Sequence, residues 1–303
     1  MNILITGGAG YVGYSVTKRM AEKYPESGII VYDSFTKARL ENFGRLISQY
    51  KNIKLIPWEK ADIRDEENII EIMDKFHPET VIHLAAIVDA FTTNREGKDI
   101  ECMKVNYEAT VNLARISKLY KVKNFFFQSS VSVYSRGEEL NESSPIEPLS
   151  TYGKSKYLAE ESIYKLIDNT FRVVSLRSAT IVGYNPSFRY ETIINLLCIR
   201  SVFGIETTIF ESALNNLKSY LTINDEVLAI ELLLENIESI SGNSFNAKSF
   251  NVTLEDVLNE IKKYISNPNY IIKKQKTINQ QIYTINDDKI KSIGLNQKEN
   301  YLI

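Results

Sequence analysis

Residues 7–13 read Gly-Gly-Ala-Gly-Tyr-Val-Gly, directly after the strand-like run Asn2–Thr6 and directly before a helical pattern. Glycines at such spacing allow a tight turn, close approach of the backbone to a pyrophosphate, and close packing of helix on strand. The helix start adds unpaired N–H groups and the positive end of its dipole. A glycine turn alone is weak evidence, but this context predicts a dinucleotide site that includes Gly7, Gly10, Tyr11, Val12 and Gly13.

Asp33 lies twenty residues past Gly13, at the end of the second predicted strand, and Ser34 follows it. A carboxylate in this position accepts hydrogen bonds from the adenosine ribose, which favours NAD over NADP. Lys37 and Arg39 downstream would suit a 2′-phosphate, although Asp33 would repel one. The alternative is that Asp33 is only an exposed turn residue.

The same rhythm of strand and helix continues through the first two-thirds of the chain. It predicts a doubly wound parallel sheet of the Rossmann type, followed by a smaller α/β substrate lobe. We place the first domain at residues 1–177, with a segment near 204–225 as a candidate return to it, and the substrate lobe at 178–303. The predicted strands are Asn2–Thr6, Gly28–Tyr32, Ile53–Pro57, Thr80–Leu84, Asn124–Gln128 and Phe171–Arg177. The predicted helices are Val12–Tyr24, Asp65–Phe76, Ile100–Tyr120 and Thr151–Ile167, with Asp65 and Ser150 near N-caps.

Composition excludes several classes of function. In 303 residues the net charge is −2, so no basic field attracts nucleic acid. Two cysteines and two histidines argue against a metal site and a disulfide framework. No apolar run approaches the length of a membrane span, and the N-terminal sequence has no signal-peptide pattern. We therefore expect a cytoplasmic protein.

Tyr152 and Lys156 are four residues apart in a predicted helix and so share a face. A tyrosine is a poor base at neutral pH, but an adjacent ammonium and an oxidised nicotinamide stabilise its phenolate. Ser130 ends the preceding strand, where ligands bind in open α/β sheets. A serine there can also simply satisfy turn backbone groups. Together with the glycine turn, the three side chains predict a hydroxyl, base and ammonium arrangement suited to hydride transfer.

These motifs, in this order, resemble the extended short-chain dehydrogenases/reductases of the NAD-dependent sugar-nucleotide epimerase and dehydratase branch. The resemblance covers residues 1 to about 230. It also rests on Ala61-Asp62-Ile63, His83-Leu84-Ala85-Ala86, Asn106 and Leu176-Arg177. It implies that Asp62 and Ile63 contact adenine, that Leu84, Ala85, Ala86 and Asn106 line the cofactor site, and that Ser130, Tyr152 and Lys156 are catalytic.

The resemblance further implies substrate contacts at Ser130, Ser132, Thr180, Arg189, Asn195 and Lys218. Asn195 matches an amide that holds the diphosphate, and Lys218 stands where relatives commonly carry arginine. Dehydratases of this branch follow the active hydroxyl with an Asp-Glu pair, whereas here Val131-Ser132 follows Ser130, which disfavours 4,6-dehydration. Pairing of the helices Ile100–Tyr120 and Thr151–Ile167 across a two-fold axis implies a homodimer.

The sequence therefore predicts an NAD-dependent enzyme that oxidises and reduces a sugar carbon, C4, of a nucleotide-activated sugar. Epimerisation is the leading hypothesis. A nucleotide-sugar dehydrogenase or a keto-sugar reductase is the alternative, because the sequence does not separate these outcomes. A non-catalytic NAD(P)-sensing protein is the alternative from another class, but such proteins can lose the Tyr-Lys pair, which is intact here.

Overall fold

A parallel seven-stranded sheet organises the part of the chain described by the computed structural model, residues 1–57, 59, 61–88, 97–134, 137–266, 268–274 and 283–296. Its strands run in the order β11-β7-β5-β4-β1-β2-β3, and every neighbouring pair is parallel. Their bounds are β1 Asn2–Thr6, β2 Gly28–Tyr32, β3 Ile53–Leu55, β4 Thr80–His83, β5 Asn124–Ser130, β7 Arg172–Ser178 and β11 Asn243–Ala247.

Helices cover both faces of this sheet, except that Ile193–Val202 and Leu254–Tyr264 pack with the smaller sheets described below. The helices are α1 Tyr11–Lys23, α2 Leu40–Gln49, α3 Glu66–Phe76, α4 Lys98–Met103, α5 Ala109–Leu119, α6 Thr151–Tyr164, α7 Ile193–Val202, α8 Ile223–Ile240, α9 Leu254–Tyr264 and α10 Asp288–Ser292. Alternate residues of each strand enter opposite cores: Phe126 packs in the cluster with α1 and α8, whereas Phe125 and Phe127 pack in the cluster with α3, α5 and α6. This burial on both sides is why the strands read as continuous apolar runs.

The predicted fold class is confirmed. All six predicted strands are present, and Asp65 and Ser150 cap their helices by accepting hydrogen bonds from Asn68 N–H and Gly153 N–H. Some boundaries were wrong: the third strand ends at Leu55, before Pro57, and the helix from Thr151 ends at Tyr164 rather than Ile167.

The helix expected over Ile100–Tyr120 is interrupted. A π-helical turn, Lys104–Glu108, separates α4 from α5. Such turns insert an extra residue and are frequent at functional sites. Helix α2 was not expected.

The chain returns to the sheet later than the sequence suggested. Helix α8 packs on β7 and α1, and β11 then pairs with β7 in parallel, so the returning segment is 223–247. Residues near 204–225 instead contribute two strands, Thr207–Phe210 and Lys218–Thr222, to smaller sheets, because each of them pairs with a strand from the C-terminal part of the chain. The division into domains at residue 177 stays a prediction.

Smaller sheets complete the described structure: β12-β10-β8, β13-β9 and β14-β6. Their strands are β6 Gly137–Leu140, β8 Thr180–Val182, β9 Thr207–Phe210, β10 Lys218–Thr222, β12 Phe250–Val252, β13 Tyr270–Lys273 and β14 Tyr283–Ile285. A separate apolar cluster joins α7 and α9 to this region. No helix within the described ranges combines the length and apolar character that a membrane crossing requires.

Candidate active site

The glycine turn lies between β1 and α1. A side chain at Gly13 would place its Cβ 1.9 Å from the carbonyl oxygen of Gly7, so the tight turn requires glycine there. Gly10 is the N-cap of α1, no side chain caps the helix, and no acidic residue lies in its first turn. Unpaired N–H groups at a helix start form an anion site. The turn therefore fits a dinucleotide pyrophosphate.

Asp33 is tied to this turn. Its Oδ2 accepts a hydrogen bond of 2.9 Å from Ala9 N–H, and its Oδ1 accepts one of 2.8 Å from Phe35 N–H. Burial raises the pKa of the Asp33 carboxyl above its usual value, and these backbone donors act against that rise. Ser34 is exposed. The Nζ of Lys37 lies 3.9 Å from Glu191, so this lysine has an acidic neighbour of its own.

The two residues expected at adenine differ in their surroundings. Ile63 is buried, whereas the carboxylate of Asp62 binds the Arg64 guanidinium, which holds the pKa of Asp62 below its usual value. The main-chain oxygen of Asp62 accepts a 2.6 Å hydrogen bond from the Tyr32 hydroxyl at the end of β2. This bond holds the segment against the strand end that carries Asp33.

Asn106 has a clear local role. It is fully buried in the π-helical turn, and its side chain accepts from Ile87 N–H at 2.8 Å and donates to Ile87 C=O at 2.9 Å. This paired contact fixes the segment after β4, where Leu84, Ala85 and Ala86 are only half-buried. Asn106 therefore shapes the expected cofactor wall through its backbone contacts.

Ser130, Tyr152 and Lys156 lie together at the carboxyl end of β5. The Ser130 hydroxyl hydrogen-bonds the Tyr152 side chain and donates to Ser132 Oγ at 3.2 Å. The Nζ of Lys156 lies 6.0 Å from the centre of the Tyr152 ring and donates a 2.8 Å hydrogen bond to the main-chain oxygen of Gln128. Tyr152 and Lys156 are both buried on one face of α6, as their spacing predicts.

Gly153 makes this approach possible, although it was not among the expected site residues. A Cβ at Gly153 would lie 2.1 Å from the carbonyl oxygen of Ser132. The first turn of α6 therefore packs directly on the turn after β5. Only the observed backbone contact reveals this requirement, because a glycine beside a tyrosine carries no such signal in the sequence.

Burial dominates the electrostatics of the pair. It raises the pKa of Tyr152, while the hydrogen bond with Ser130 and the positive charge of Arg189 act in the opposite direction. Burial also lowers the pKa of Lys156 to about 7. The ammonium expected to stabilise phenolate is therefore only partly protonated near neutral pH, and the guanidinium of Arg189 is a second source of positive charge.

Arg189 belongs to a loop that lies against the glycine turn, and Asn195 in the first turn of α7 holds this loop in place. Asn195 Oδ1 accepts from Gly183 N–H at 3.0 Å, and its Nδ2 donates to Arg189 C=O at 2.8 Å. Both polar atoms of the Asn195 amide thus hold residues 183–189, here called the 183–189 loop. Arg189 is partly exposed and donates to Val88 C=O at 2.7 Å.

The 183–189 loop is also bonded to the start of α1. The Tyr11 hydroxyl donates to Gly183 C=O at 2.6 Å, and Asn185 Nδ2 donates to Tyr11 C=O at 2.7 Å. Ser187 Oγ donates to Ala9 C=O at 2.6 Å. The loop that precedes α7 therefore lies directly against the predicted pyrophosphate site.

The other substrate candidates lie on the smaller sheet or beside it. Thr180 and Lys218 lie on its adjacent strands β8 and β10, and burial lowers the pKa of Lys218. Tyr283 of β14 was not expected. It hydrogen-bonds Ser132, and its pKa is raised by burial and, to a smaller extent, by the neighbouring Tyr152. No pattern around Tyr283 signals this, because its position depends on pairing between β14 and β6.

Comparisons with known proteins identify the family of the chain. The model of the "NAD dependent epimerase/dehydratase family" matches residues 3–247. The chain belongs to this family. The predicted relationship is therefore confirmed, and it agrees with the prediction of an NAD-dependent enzyme.

Individual relatives include both activities named by the family. One similar curated protein is the dTDP-D-glucose 4,6-dehydratase of Dictyostelium discoideum, which is 30% identical over 86% of this chain and 61% of that protein. Another is the ADP-L-glycero-D-manno-heptose-6-epimerase of Brachyspira hyodysenteriae, which is 28% identical over 87% of this chain and 82% of that protein. The solved UDP-glucose 4-epimerase of Thermotoga maritima with UDP-glucose is 25% identical, with a TM-score of 0.84 over 98% of this chain and 94% of that one. The chain spans 26%, 61% and 53% of the length of three curated relatives.

Proposed function

We propose that this protein is an NAD-dependent epimerase that inverts one hydroxyl-bearing carbon, C4, of a nucleotide-activated sugar. The observation that carries the proposal is that Tyr152 and Lys156 are buried beside the half-buried Ser130 at the carboxyl end of β5. The uncapped start of α1 follows β1 at the same edge of this parallel sheet. Relatives named as epimerases of UDP-glucose and of an ADP-heptose support the choice of a nucleotide sugar.

Different residues of the chain would bind different parts of NAD. The glycine turn and the start of α1 would hold the pyrophosphate, and Asp33 would accept hydrogen bonds from the adenosine ribose. Residues 84–86, fixed through Asn106, would form the adjoining wall. NAD held there would supply reversible hydride transfer at the sugar carbon, which epimerisation uses once on each face of that carbon.

Proton transfer is assigned to Tyr152. As phenolate it removes the proton of the sugar hydroxyl, and as phenol it returns that proton when the carbon is reduced. Ser130, already hydrogen-bonded to Tyr152, orients the reacting oxygen. Lys156, held by the Gln128 carbonyl, supplies positive charge near the ring when it is protonated.

The residues after Ser130 favour epimerisation over dehydration. Removal of water needs an acid and a base beside the active hydroxyl, whereas Val131 is buried and apolar and Ser132 is an uncharged residue whose Oγ accepts a hydrogen bond from Ser130. Arg189 and Lys218 are the proposed contacts of the substrate diphosphate, with Thr180 and Asn195 as further contacts in the same lobe and Ser132 beside Ser130 in the first domain. We also propose a homodimer built on α5 and α6.

A panel of nucleotide sugars incubated with the purified protein and NAD tests the function. Epimerisation gives a product of unchanged mass and altered chromatographic retention. Loss of one water identifies a dehydratase, and net formation of NADH identifies a dehydrogenase. Tyr152→Phe is the control for catalysis. Cofactor binding without conversion of any sugar in wild-type protein would refute the enzyme and favour an NAD-sensing protein.

A further inference from the structure

A buried carboxyl group lies beneath the candidate active site and is not explained by the proposed function. Glu226, in the first turns of α8, is 0% exposed. Its Oε2 accepts a 2.6 Å hydrogen bond from Ser178 Oγ at the end of β7. Its Oε1 has no partner among the described residues. A buried charged carboxylate with an unsatisfied oxygen is strongly unfavourable.

The side chain of Gln128 has a second unsatisfied hydrogen-bond acceptor. Its amide nitrogen donates to Ser178 Oγ at 2.7 Å, so Gln128 and Glu226 share Ser178 as a hydrogen-bond partner. The side-chain oxygen of Gln128, like Oε1 of Glu226, is a buried acceptor without a donor within the described ranges. A single proton on Glu226 removes both problems, because it neutralises the carboxyl group and supplies an O–H donor to this cluster.

The cluster is joined to the predicted catalytic residues. The main-chain oxygen of Gln128 accepts the 2.8 Å hydrogen bond from Lys156 Nζ, and Ser130 follows two residues later in β5. Any movement of Gln128 would therefore move the anchor of Lys156. We infer that Glu226 is a positioning residue, held as a neutral carboxylic acid, that fixes Gln128 and through it the ammonium of Lys156.

The protonation state of Glu226 affects the pKa values of neighbouring tyrosines. The titratable groups that face it are Tyr11 from α1 and Tyr152 from α6, and a negative charge on Glu226 raises the pKa of both. Arg189 acts on the same two tyrosines in the opposite direction. On α8 itself, Asp225 accepts a hydrogen bond from Ser249. When Glu226 ionises, the O–H donor that it supplied to this cluster is lost. Its negative charge also opposes formation of the Tyr152 phenolate.

Burial raises the pKa of Glu226 to about 7, against the lowering effect of Ser178 and Gln128. The acid is therefore expected to lose its proton within the range in which enzymes are assayed. Infrared difference spectra of wild type against Glu226→Gln test this without substrate or turnover. We expect the carbonyl stretch of a protonated carboxylic acid at pH 6, and its loss as the pH rises past 7.

Two further variants complete the spectroscopic test. Glu235→Gln, on the same helix but ion-paired with Lys23 at the surface, should leave the wild-type acid band unchanged. Ser178→Ala removes a donor to the ionised form and should move loss of the band to higher pH. If Glu226→Gln does not fold, the shift in Ser178→Ala carries the test. The inference would be overturned if wild-type protein showed no acid band at pH 6. It would also be overturned if neither Glu226→Gln nor Ser178→Ala changed that band.

The pH profile of kcat is the second readout, and it alone depends on the proposed function. Glu226→Gln keeps an N–H donor and stays neutral, so we expect near wild-type kcat at pH 6. From pH 6 to pH 8.5 the ratio of variant to wild-type kcat should rise by about fivefold or more, as Glu226 ionises only in wild type. A purely structural glutamate would leave this ratio independent of pH, which contradicts the positioning role. Absence of turnover in both proteins would refute the proposed function while the infrared result stands.

Discussion

Replacement of Glu226 by glutamine should change how the stability of the protein depends on pH. The pKa of Glu226 is raised from 4.5 to about 7 by burial in the folded protein. Below pH 4.5 the group is protonated in both states and has no effect on stability. As pH rises, the unfolded chain loses the proton first, so the free energy of unfolding falls, and the fall is complete above about pH 7.

The magnitude follows from the difference between the two pKa values. A difference of about 2.5, at about 1.4 kcal/mol for each pKa unit, amounts to about 3 kcal/mol. Glutamine does not titrate, so wild type should lose about 2 to 3 kcal/mol relative to Glu226→Gln between pH 5 and pH 8. Urea unfolding of both proteins across this range measures the difference, and titrations common to both cancel. A constant difference at every pH would refute the reasoning.

The remaining predictions concern the proposed site and the assembly. Tyr152→Phe should lower kcat by about 100- to 10,000-fold while NAD affinity changes little, because only the proton-transferring oxygen is removed; near-normal turnover would exclude Tyr152 as the base. Gly13→Ala should abolish NAD binding in titration calorimetry, because its Cβ would lie 1.9 Å from Gly7 O; retained affinity would refute the proposed cradle. Wild type should bind NAD at least about tenfold more tightly than NADP, a difference of about 1.4 kcal/mol, because Asp33 repels a 2′-phosphate; equal affinities would refute its role. Light scattering at micromolar concentration should give the mass of a dimer paired through α5 and α6, and a monomer there would contradict the assembly.

Six of the seven strands of the large sheet could be predicted from the sequence because local patterns specify them. Apolar β-branched or aromatic runs such as Asn2–Thr6 are followed by turns and by helices whose caps are readable. The strand β11 was missed for the opposite reason. Its sequence Asn-Ser-Phe-Asn-Ala is mostly polar and short, and only pairing with β7 makes it a buried strand.

The residues of the candidate site also differ in whether local sequence patterns reveal them. Ser130, Tyr152 and Lys156 were accessible to sequence reasoning, since one spacing and one strand end bring them together. Glu226 and Tyr283 were not, because each reaches the site through a contact between distant parts of the chain. A glutamate in an apolar helix reads as a solvated residue until the neighbouring strand ends are known.

The hydrogen bonds between the 183–189 loop and the start of α1 bear on how long a cofactor stays. Tyr11, Asn185 and Ser187 tie the loop to the backbone on which a pyrophosphate would rest. Departure of a dinucleotide would require these contacts to break together, so its exchange would be slow. A dehydrogenase must exchange its cofactor at every turnover, whereas an epimerase regenerates the same molecule. Slow exchange is therefore compatible with rapid catalysis only in the second case, and an epimerase of this architecture would retain one nucleotide through many substrates.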